Sequence, residues 1–188
     1  LGLKKFKECE VICQKILKDD RRDASTLGYY ADSCYERKDY EKSLELTNKI
    51  LEIIPTDINT QNNKADLLNH LGRSEESLKI SESIISRNSM NEEAWANKGV
   101  SLIKMSDYEN AINSLQTAIQ IDSAFAEVWF HLARAYAYAN NEDDALDSLV
   151  VSTSLDYGHN QLEDSSFDNI KNHSRFQKLV SKQKDQVN

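Results

Sequence analysis

Small and apolar residues recur along this chain every 34 positions, a spacing that the two tryptophans, Trp95 and Trp129 (129 − 95 = 34), show most plainly. Three columns share it, two of small residues and one of apolar residues: Ala31, Ala65, Gly99 and Ala133; Ser43, Ser77, Ala111 and Ala145; Leu44, Leu78, Ile112 and Leu146. A fourth column, Tyr40 and Tyr108, recurs after two periods. Two small residues in each period indicate two close helix contacts, and a repeat of this length is typical of stacked helix pairs. The pattern therefore predicts an all-α fold, a solenoid of antiparallel helix pairs.

The period also places the individual helices. We predict first helices over 24–37, 58–71, 92–105 and 126–139, and second helices over 4–18, 40–53, 74–87, 108–121 and 142–155. Several helix-start signals agree with these bounds, because Asp57 and Asn91 precede first helices and Ser106 with Glu109 forms a capping box. The one proline, Pro55, falls between two periods, where a helix has to stop.

These positions predict one domain over residues 1–188. Its parts are a partial repeat over 1–23, full repeats over 24–57, 58–91, 92–125 and 126–159, and a C-terminal capping segment over 160–188.

The residues in these columns resemble the tetratricopeptide repeat (TPR), whose signature has an aromatic residue near the start of the first helix, a small residue four positions later and an alanine in the second helix. The last two full repeats match best, whereas Leu27 and Gln61 stand in the place of the tryptophan in the first two. The resemblance covers about residues 1–159. It implies a right-handed TPR-like superhelix with a concave groove, a non-enzymatic module that binds a peptide or protein segment.

Net charge narrows the choice of partners. The chain has 23 basic and 31 acidic residues and a formal charge of −8, which repels phosphate backbones and disfavours a nucleic-acid partner. No stretch approaches the ~18 apolar residues of a transmembrane helix, so we expect no membrane partner and a cytoplasmic location. The sequence begins at Leu1 in what reads as the middle of a repeat, which suggests a piece of a longer protein.

The sequence shows no pattern for catalysis, cofactor or metal binding. Cys9 and Cys13 are four positions apart on one helix, but a zinc site would need two further soft ligands that no nearby residue supplies. We interpret these thiols, with Cys34, as small packing residues. The four histidines are scattered, and no HExxH, GxSxG or P-loop motif occurs. We therefore predict no enzyme, no cofactor and no metal.

A partner-binding groove is predicted on the first helices, from the faces that remain when the repeat columns are packed inward. The candidate residues are Asn62, Asn63, Asp66, Asn69, Asn97, Lys104, Phe130, His131, Arg134 and Tyr138. A row of amides can hold the backbone of an extended peptide, and it costs up to ~0.7 kcal/mol of helix propensity per asparagine. The alternative is background usage, because asparagine is common throughout the chain, including the turn at Asn140 and Asn141.

The resemblance permits one more specific comparison. Some TPR domains hold the C-terminal carboxylates of chaperones with lysine, arginine and asparagine side chains of three first helices. Here only the middle asparagine is present, Asn63 or Asn97, and Glu93 or Glu127 stands where a cation is needed. We therefore expect no such clamp, and instead a partner segment of mixed polarity that is basic at one end.

The C-terminal segment has a different composition. Phe176, Leu179 and Val180 form an apolar stripe after a capping box of Ser174 and Gln177, as expected for a helix that covers the last repeat. A Phe–Asp turn at 167–168 also resembles an element that closes TPR arrays. The alternative is a basic arm for an acidic partner or RNA.

The N-terminal helix suggests a second function. Leu3 and Phe6, together with Val11, Ile12 and Ile16, give it apolar surface without a first helix of its own. Such faces are rarely left to water, so we predict self-association through Leu3 and Phe6 and a possible homodimer. The alternative to a peptide-binding module is accordingly a structural scaffold that oligomerises through its N-terminal half-repeat.

Overall fold

The computed structural model describes residues 2–158 and 161–187, and side chains over 5–158 and 161–181. Every regular element in these ranges is helical, which confirms the all-α fold. The α-helices are α1 (Gly2–Asp19), α2 (Ala24–Glu36), α3 (Tyr40–Ile53), α4 (Ile58–His70), α5 (Ser74–Arg87), α6 (Glu92–Lys104), α7 (Tyr108–Ile121), α8 (Ala126–Tyr138), α9 (Glu142–Ser154) and α10 (Ser174–Val187), and a 3-10 turn spans Ser165–Phe167.

Helix bounds follow the sequence period closely. The second helices α3, α5 and α7 begin and end at the predicted residues, while each first helix ends one residue earlier than predicted. Asp57 caps α4 by accepting a hydrogen bond from the backbone N–H of Thr60, and Asn91 does the same for α6 through Ala94. The predicted helices therefore have the right phase.

Two predicted capping boxes are wrong. Ser106 has a left-handed backbone (φ 64°), and Asp107 caps α7 instead by accepting from the N–H of Asn110. The second predicted box had Ser174 as the cap before α10, but Ser174 is itself the first residue of that helix.

The reason for the first error is a turn that every repeat uses. The residue two positions before each of the helices α3, α5, α7 and α9 has positive φ, and these residues form another 34-residue column: Lys38, Gly72, Ser106 and Asn140. In each turn the next backbone N–H bonds back to a carbonyl near the end of the preceding helix, as Asp107 N does to Leu102 O at 2.9 Å. This is the Schellman pattern of a helix end, and it leaves the following residue as the cap.

The chain packs as two compact units, Leu1–Ile84 and Ile85–Asn188. In the first unit α1 packs on α2, α2 on α3 and α3 on α4. Its core holds Cys13, Leu27, Tyr30, Ala31, Cys34, Leu46 and Ile50, and a second cluster holds Leu44, Leu67 and Leu68. The two small columns meet where Ser43 Oγ donates to Ala31 O at 2.9 Å. The single domain over 1–188 stays a prediction.

The second unit packs α6 on α7, α7 on α8 and α8 on α9. Its last helix pair is closed by the C-terminal segment, whose residues Leu162, Phe167, Ile170 and Phe176 share one buried cluster with residues of α8 and α9. Arg175 also forms an ion pair with Asp147 of α9. The predicted capping helix is thus part of the fold, and Phe176 is used for packing.

Candidate partner-binding surface

Each of the first helices α2, α4, α6 and α8 has a stripe of largely polar residues at the spacing i, i+4, i+7 and i+11. Residues at this spacing lie on one side of an α-helix. In the first unit the stripe of α2 is Ser25, Tyr29, Asp32 and Glu36, and that of α4 is Asn59, Asn63, Asp66 and His70. Most of these side chains are exposed, and the rest are half-buried. We call this surface the α2–α4 face.

His70 of α4 contacts aromatic residues of both α2 and α3. The imidazole of His70 stacks on Tyr40 with ring centroids 4.4 Å apart and an interplanar angle of 11°. His70 Nε2 also lies 3.1 Å from the hydroxyl of Tyr35, which is on α2. Asp66 Oδ1 lies 3.7 Å from the same imidazole nitrogen. The end of the face is therefore an ordered group of three rings with a carboxylate beside it.

The α2–α4 face is acidic. Its eight stripe positions contain three carboxylates, Asp32, Glu36 and Asp66, and neither lysine nor arginine. Partial burial, and then the negative charge of Glu36, raise the pKa of Asp32 above its ordinary value. Burial also raises the pKa of Tyr40, with smaller contributions from the charges of Asp66 and Glu36. Asp32 and Glu36 thus repel each other along α2, and the charges of Asp66 and Glu36 both act on Tyr40.

One aromatic side chain stands out on the face. Tyr29 is 67% exposed, and it lies one helical turn from Asp32 on the same side of α2. An exposed ring next to carboxylates can contact a cationic group through its π face while the acids neutralise the charge.

The second unit has a stripe of mixed charge. It consists of Glu93, Asn97, Val100 and Lys104 on α6 and of Glu127, His131, Arg134 and Tyr138 on α8. The two helices contact each other. Tyr138 stacks on Tyr108 at 5.3 Å, which is the counterpart, 68 positions on, of the stack of His70 on Tyr40.

Part of the α8 stripe is engaged by the C-terminal segment. Asp164 lies 3.7 Å from Arg134, whose Nη1 lies 3.5 Å from His131 Nδ1. Burial alone would raise the pKa of Asp164, but hydrogen bonds from Ser166 and the charges of Arg134 and His131 outweigh it and hold the pKa below its usual value. Arg134 is therefore partly neutralised within the unit.

The structure places the predicted groove residues in two groups. The exposed or half-buried group contains Asn63, Asp66, Asn97, Lys104, His131, Arg134 and Tyr138. The buried group is a correction, because Asn62, Asn69 and Phe130 are 2%, 1% and 1% exposed. Phe130 packs edge-to-face on Phe167 with centroids 5.6 Å apart, so its side chain is covered by the C-terminal segment. The two buried asparagines are seven positions apart, so they lie on the same side of α4, next to the stripe. The helical-wheel prediction placed this side of α4 at the surface.

The sequence prediction missed the α2 part of the face. Tyr29, Asp32 and Glu36 lie 34 positions before Asn63, Asp66 and His70, so the repeat itself was the signal that could have found them.

The predicted self-association residues are only partly described. The side chain of Leu3 lies outside the described part of the chain. Phe6 is half-buried, and its carbonyl accepts a hydrogen bond from Ser33 Oγ of α2 at 2.9 Å. The backbone of Phe6 is thus tied to α2, and self-association through Leu3 and Phe6 stays a prediction.

Known proteins share this fold. The family model described as TPR repeat matches residues 99–138, from the middle of α6 to the end of α8. TTC0263, a thermophilic TPR protein of Thermus thermophilus, superposes with a TM-score of 0.70 at 15% identity, over 95% of this chain and 92% of that one. MamA 41-end from Desulfovibrio magneticus RS-1 has a TM-score of 0.62 at 15% identity, with 87% and 98% covered. No curated protein matches the sequence.

Residues 99–138 are therefore a tetratricopeptide repeat, and the described chain has the TPR-like solenoid fold, which confirms the resemblance seen in the sequence. At such low identities the solved structures show the fold alone. The fold is one that serves protein–protein interaction and scaffolding. None of the helices in the described ranges is long and apolar enough to cross a lipid bilayer.

Proposed function

We propose that this protein is a non-enzymatic interaction module that binds a basic peptide or protein segment on its α2–α4 face. The observation that carries the proposal is the composition of that face: three carboxylates and the 67% exposed ring of Tyr29, with no lysine or arginine among the eight stripe positions. A lysine or arginine of a partner would complement it in charge.

The electrostatics of α2 support a cationic ligand. Asp32 and Glu36 are four positions apart on one helix face, an arrangement of like charges that destabilises a helix by about 0.2–0.5 kcal/mol. A bound cation removes this repulsion and contacts the ring of Tyr29, a contact that contributes about 0.5–1 kcal/mol at an exposed site. Both effects favour a cationic ligand over a neutral or acidic one.

The stripe of the second unit supports a different preference. Lys104 and Arg134 balance Glu93 and Glu127, and Arg134 already interacts with Asp164. We propose that this stripe accepts uncharged or mixed sequence, with the exposed Lys104 offering a donor to a peptide backbone or carboxylate. A cytoplasmic location is also proposed, and the three free thiols of Cys9, Cys13 and Cys34 support it.

A fluorescence anisotropy titration tests the proposal. The probes are two labelled peptides of equal length, acetyl-(Lys-Gly)4-amide and acetyl-(Glu-Gly)4-amide. Only the basic peptide should bind saturably, and added salt should weaken it because the charges are exposed. Tyr29→Ala and Asp32→Asn should each raise its Kd, whereas Glu41→Gln, which removes an acid from the exposed side of α3, should not. Equal binding of both peptides would refute the proposal.

A second candidate function is a scaffold that assembles through α1. The exposure of Val11, Ile12 and Ile16 on that helix favours it.

A further inference from the structure

The helix α1 exposes apolar side chains at positions that are covered in the other second helices. Ile12 is 58% exposed, while its counterparts at the 34-residue spacing are buried or half-buried: Leu46, Ile80, Ser114 and Ser148. Ile16 is 43% exposed, while its counterparts are all buried: Ile50, Ile84, Ala118 and Ser152. In the later repeats, neighbouring residues therefore cover these two positions. In α1 the described residues leave them exposed.

A third exposed apolar residue of α1 lies at a position that the first helices leave uncovered in the later repeats. Val11 is 66% exposed, and its counterparts in the later second helices are exposed and polar: Glu45, Lys79, Asn113 and Asp147. The first helix of a repeat does not cover that position anywhere else in the described chain. An apolar residue there fits a wider contact that includes the outer side of α1.

The exposed stripe of α1 has an apolar residue at its middle and opposite charges at its two ends, so a reversed second copy matches it at these positions. Lys5, Glu8, Ile12, Ile16 and Asp19 all lie within about 40° of Ile12 around the helix axis, and all five are exposed. In an antiparallel pair of α1 helices centred on Ile12, each residue n lies opposite residue 24 − n of the other copy. Lys5 then faces Asp19, Glu8 faces Ile16, and Ile12 faces its own copy. A shallow depression lined by Lys7, Glu8, Val11 and Ile12 lies along one edge of this stripe.

We propose that α1 pairs antiparallel with α1 of a second copy of this chain, about a two-fold axis at Ile12. The proposal rests on the second candidate function, self-assembly, and specifies its geometry. Ile12 and Ile16 form the centre of the contact, and Val11 lies at its edge, about 100° from Ile12 around the helix axis. The two equivalent Lys5–Asp19 pairs close the ends, as the two-fold symmetry of the interface requires.

Molar mass measured by sedimentation equilibrium between micromolar and millimolar protein tests self-assembly. The unaltered chain should change from monomer to dimer over this range. Ile12→Asp should raise the dissociation constant by at least ~10-fold, since each dimer would bury two facing carboxylates. The matched control is Val150→Asp, at a 41% exposed position of α9, which should leave the dissociation constant unchanged. Helical circular dichroism should be the same for both variants.

Charge exchange tests the antiparallel arrangement. Lys5→Asp alone and Asp19→Lys alone should each weaken the dimer, because each places like charges at both ends. The double variant, and an equimolar mixture of the two single variants, should regain the original association.

Each outcome has a distinct meaning. A chain that stays monomeric at all concentrations overturns self-assembly and this geometry together. A dimer that ignores the single charge exchanges overturns the antiparallel pairing and leaves self-assembly standing. Binding of the basic peptide to the α2–α4 face is measured separately and is unaffected by either result.

Discussion

The side-chain amide of Gln61 donates a 2.7 Å hydrogen bond to the carbonyl of Pro55, six residues earlier. The indole N–H of Trp95 makes the same contact with Ser89 O, and that of Trp129 with Ser123 O, both at 2.9 Å. Gln61 stands at the position where these repeats have tryptophan. Three residues of the column, Gln61, Trp95 and Trp129, thus carry a donor that ties the first helix to the preceding loop, and Gln61 supplies it without the ring. Leu27, in the first full repeat, has no such donor and is buried instead.

This relationship gives a first prediction. Gln61→Met keeps the length of the side chain but removes the donor, and should lower the free energy of unfolding by about 0.5–1.5 kcal/mol. Urea unfolding measures the loss. Gln120→Met, at an exposed position of α7, is the control and should be close to neutral. Equal stability of the two variants would show that the contact with Pro55 contributes nothing.

A second prediction compares one substitution at two glycines. A Cβ at Gly99 would lie 2.5 Å from Leu115 Cγ, whereas a Cβ at Gly28 would meet nothing within 4 Å. Gly99→Ala should therefore destabilise the protein by about 1–3 kcal/mol through overpacking. Gly28→Ala should stabilise it by up to ~1 kcal/mol, because alanine is the better helix former. Thermal unfolding should show shifts of opposite sign.

Leu115 decides whether the clash is the cause. In the background Leu115→Ala, the further change Gly99→Ala should cost much less than in the unaltered chain. An undiminished cost would mean that Leu115 is not the obstacle.

Sequence reasoning predicted the helices well because the small columns record a packing constraint that repeats. Ala65, Ala111, Ala133 and Ala145 are all fully buried, as a close helix contact requires. Ser106 was wrongly read as a cap because the positive φ of the turn column is carried by four different residue types, and only Gly72 signals it by composition.

The candidate site was less predictable, for a physical reason. A helical wheel defines directions around one helix but not which neighbour occupies each direction. Phe130 therefore looked exposed although Phe167, which is 37 positions later, covers it. Tyr29 was missed because its helix matched the repeat signature loosely.

A third prediction follows from the raised pKa of Asp32. A carboxyl whose pKa is higher in the folded state than in the unfolded state destabilises the fold when it is ionised, so this cost is present above the folded pKa and disappears as the pH falls below the unfolded value near 3.8. Asp32→Asn should therefore raise the melting temperature at pH 7 while weakening the binding of the basic peptide. The gain in stability should vanish in acid. A lower melting temperature at pH 7 would contradict the assigned direction.

A fourth prediction concerns the thiols. Burial, and then a hydrogen bond to Glu10, raise the pKa of Cys34 to about 12, and burial with the neighbouring Cys9 raises that of Cys13 to about 11. Both thiols should resist a thiolate-selective reagent at pH 8 until the protein unfolds, and the half-buried Cys9 should react first. Mass spectrometry of peptides from the labelled protein identifies the sites. Fast labelling of Cys34 in the folded protein would contradict the packing of α2.

The central claim is that the α2–α4 face holds a basic segment, and chemical-shift mapping tests it most directly. In amide NMR spectra of the ¹⁵N-labelled chain, added acetyl-(Lys-Gly)4-amide should shift the signals of Tyr29, Asp32, Glu36, Asp66 and His70 and saturate with one Kd. Tyr29→Ala should weaken the effect, and acetyl-(Glu-Gly)4-amide should leave these signals in place. Shifts confined to the outer acids of the second helices, such as Glu41 and Asp144, or equal shifts with the acidic peptide, would contradict the account.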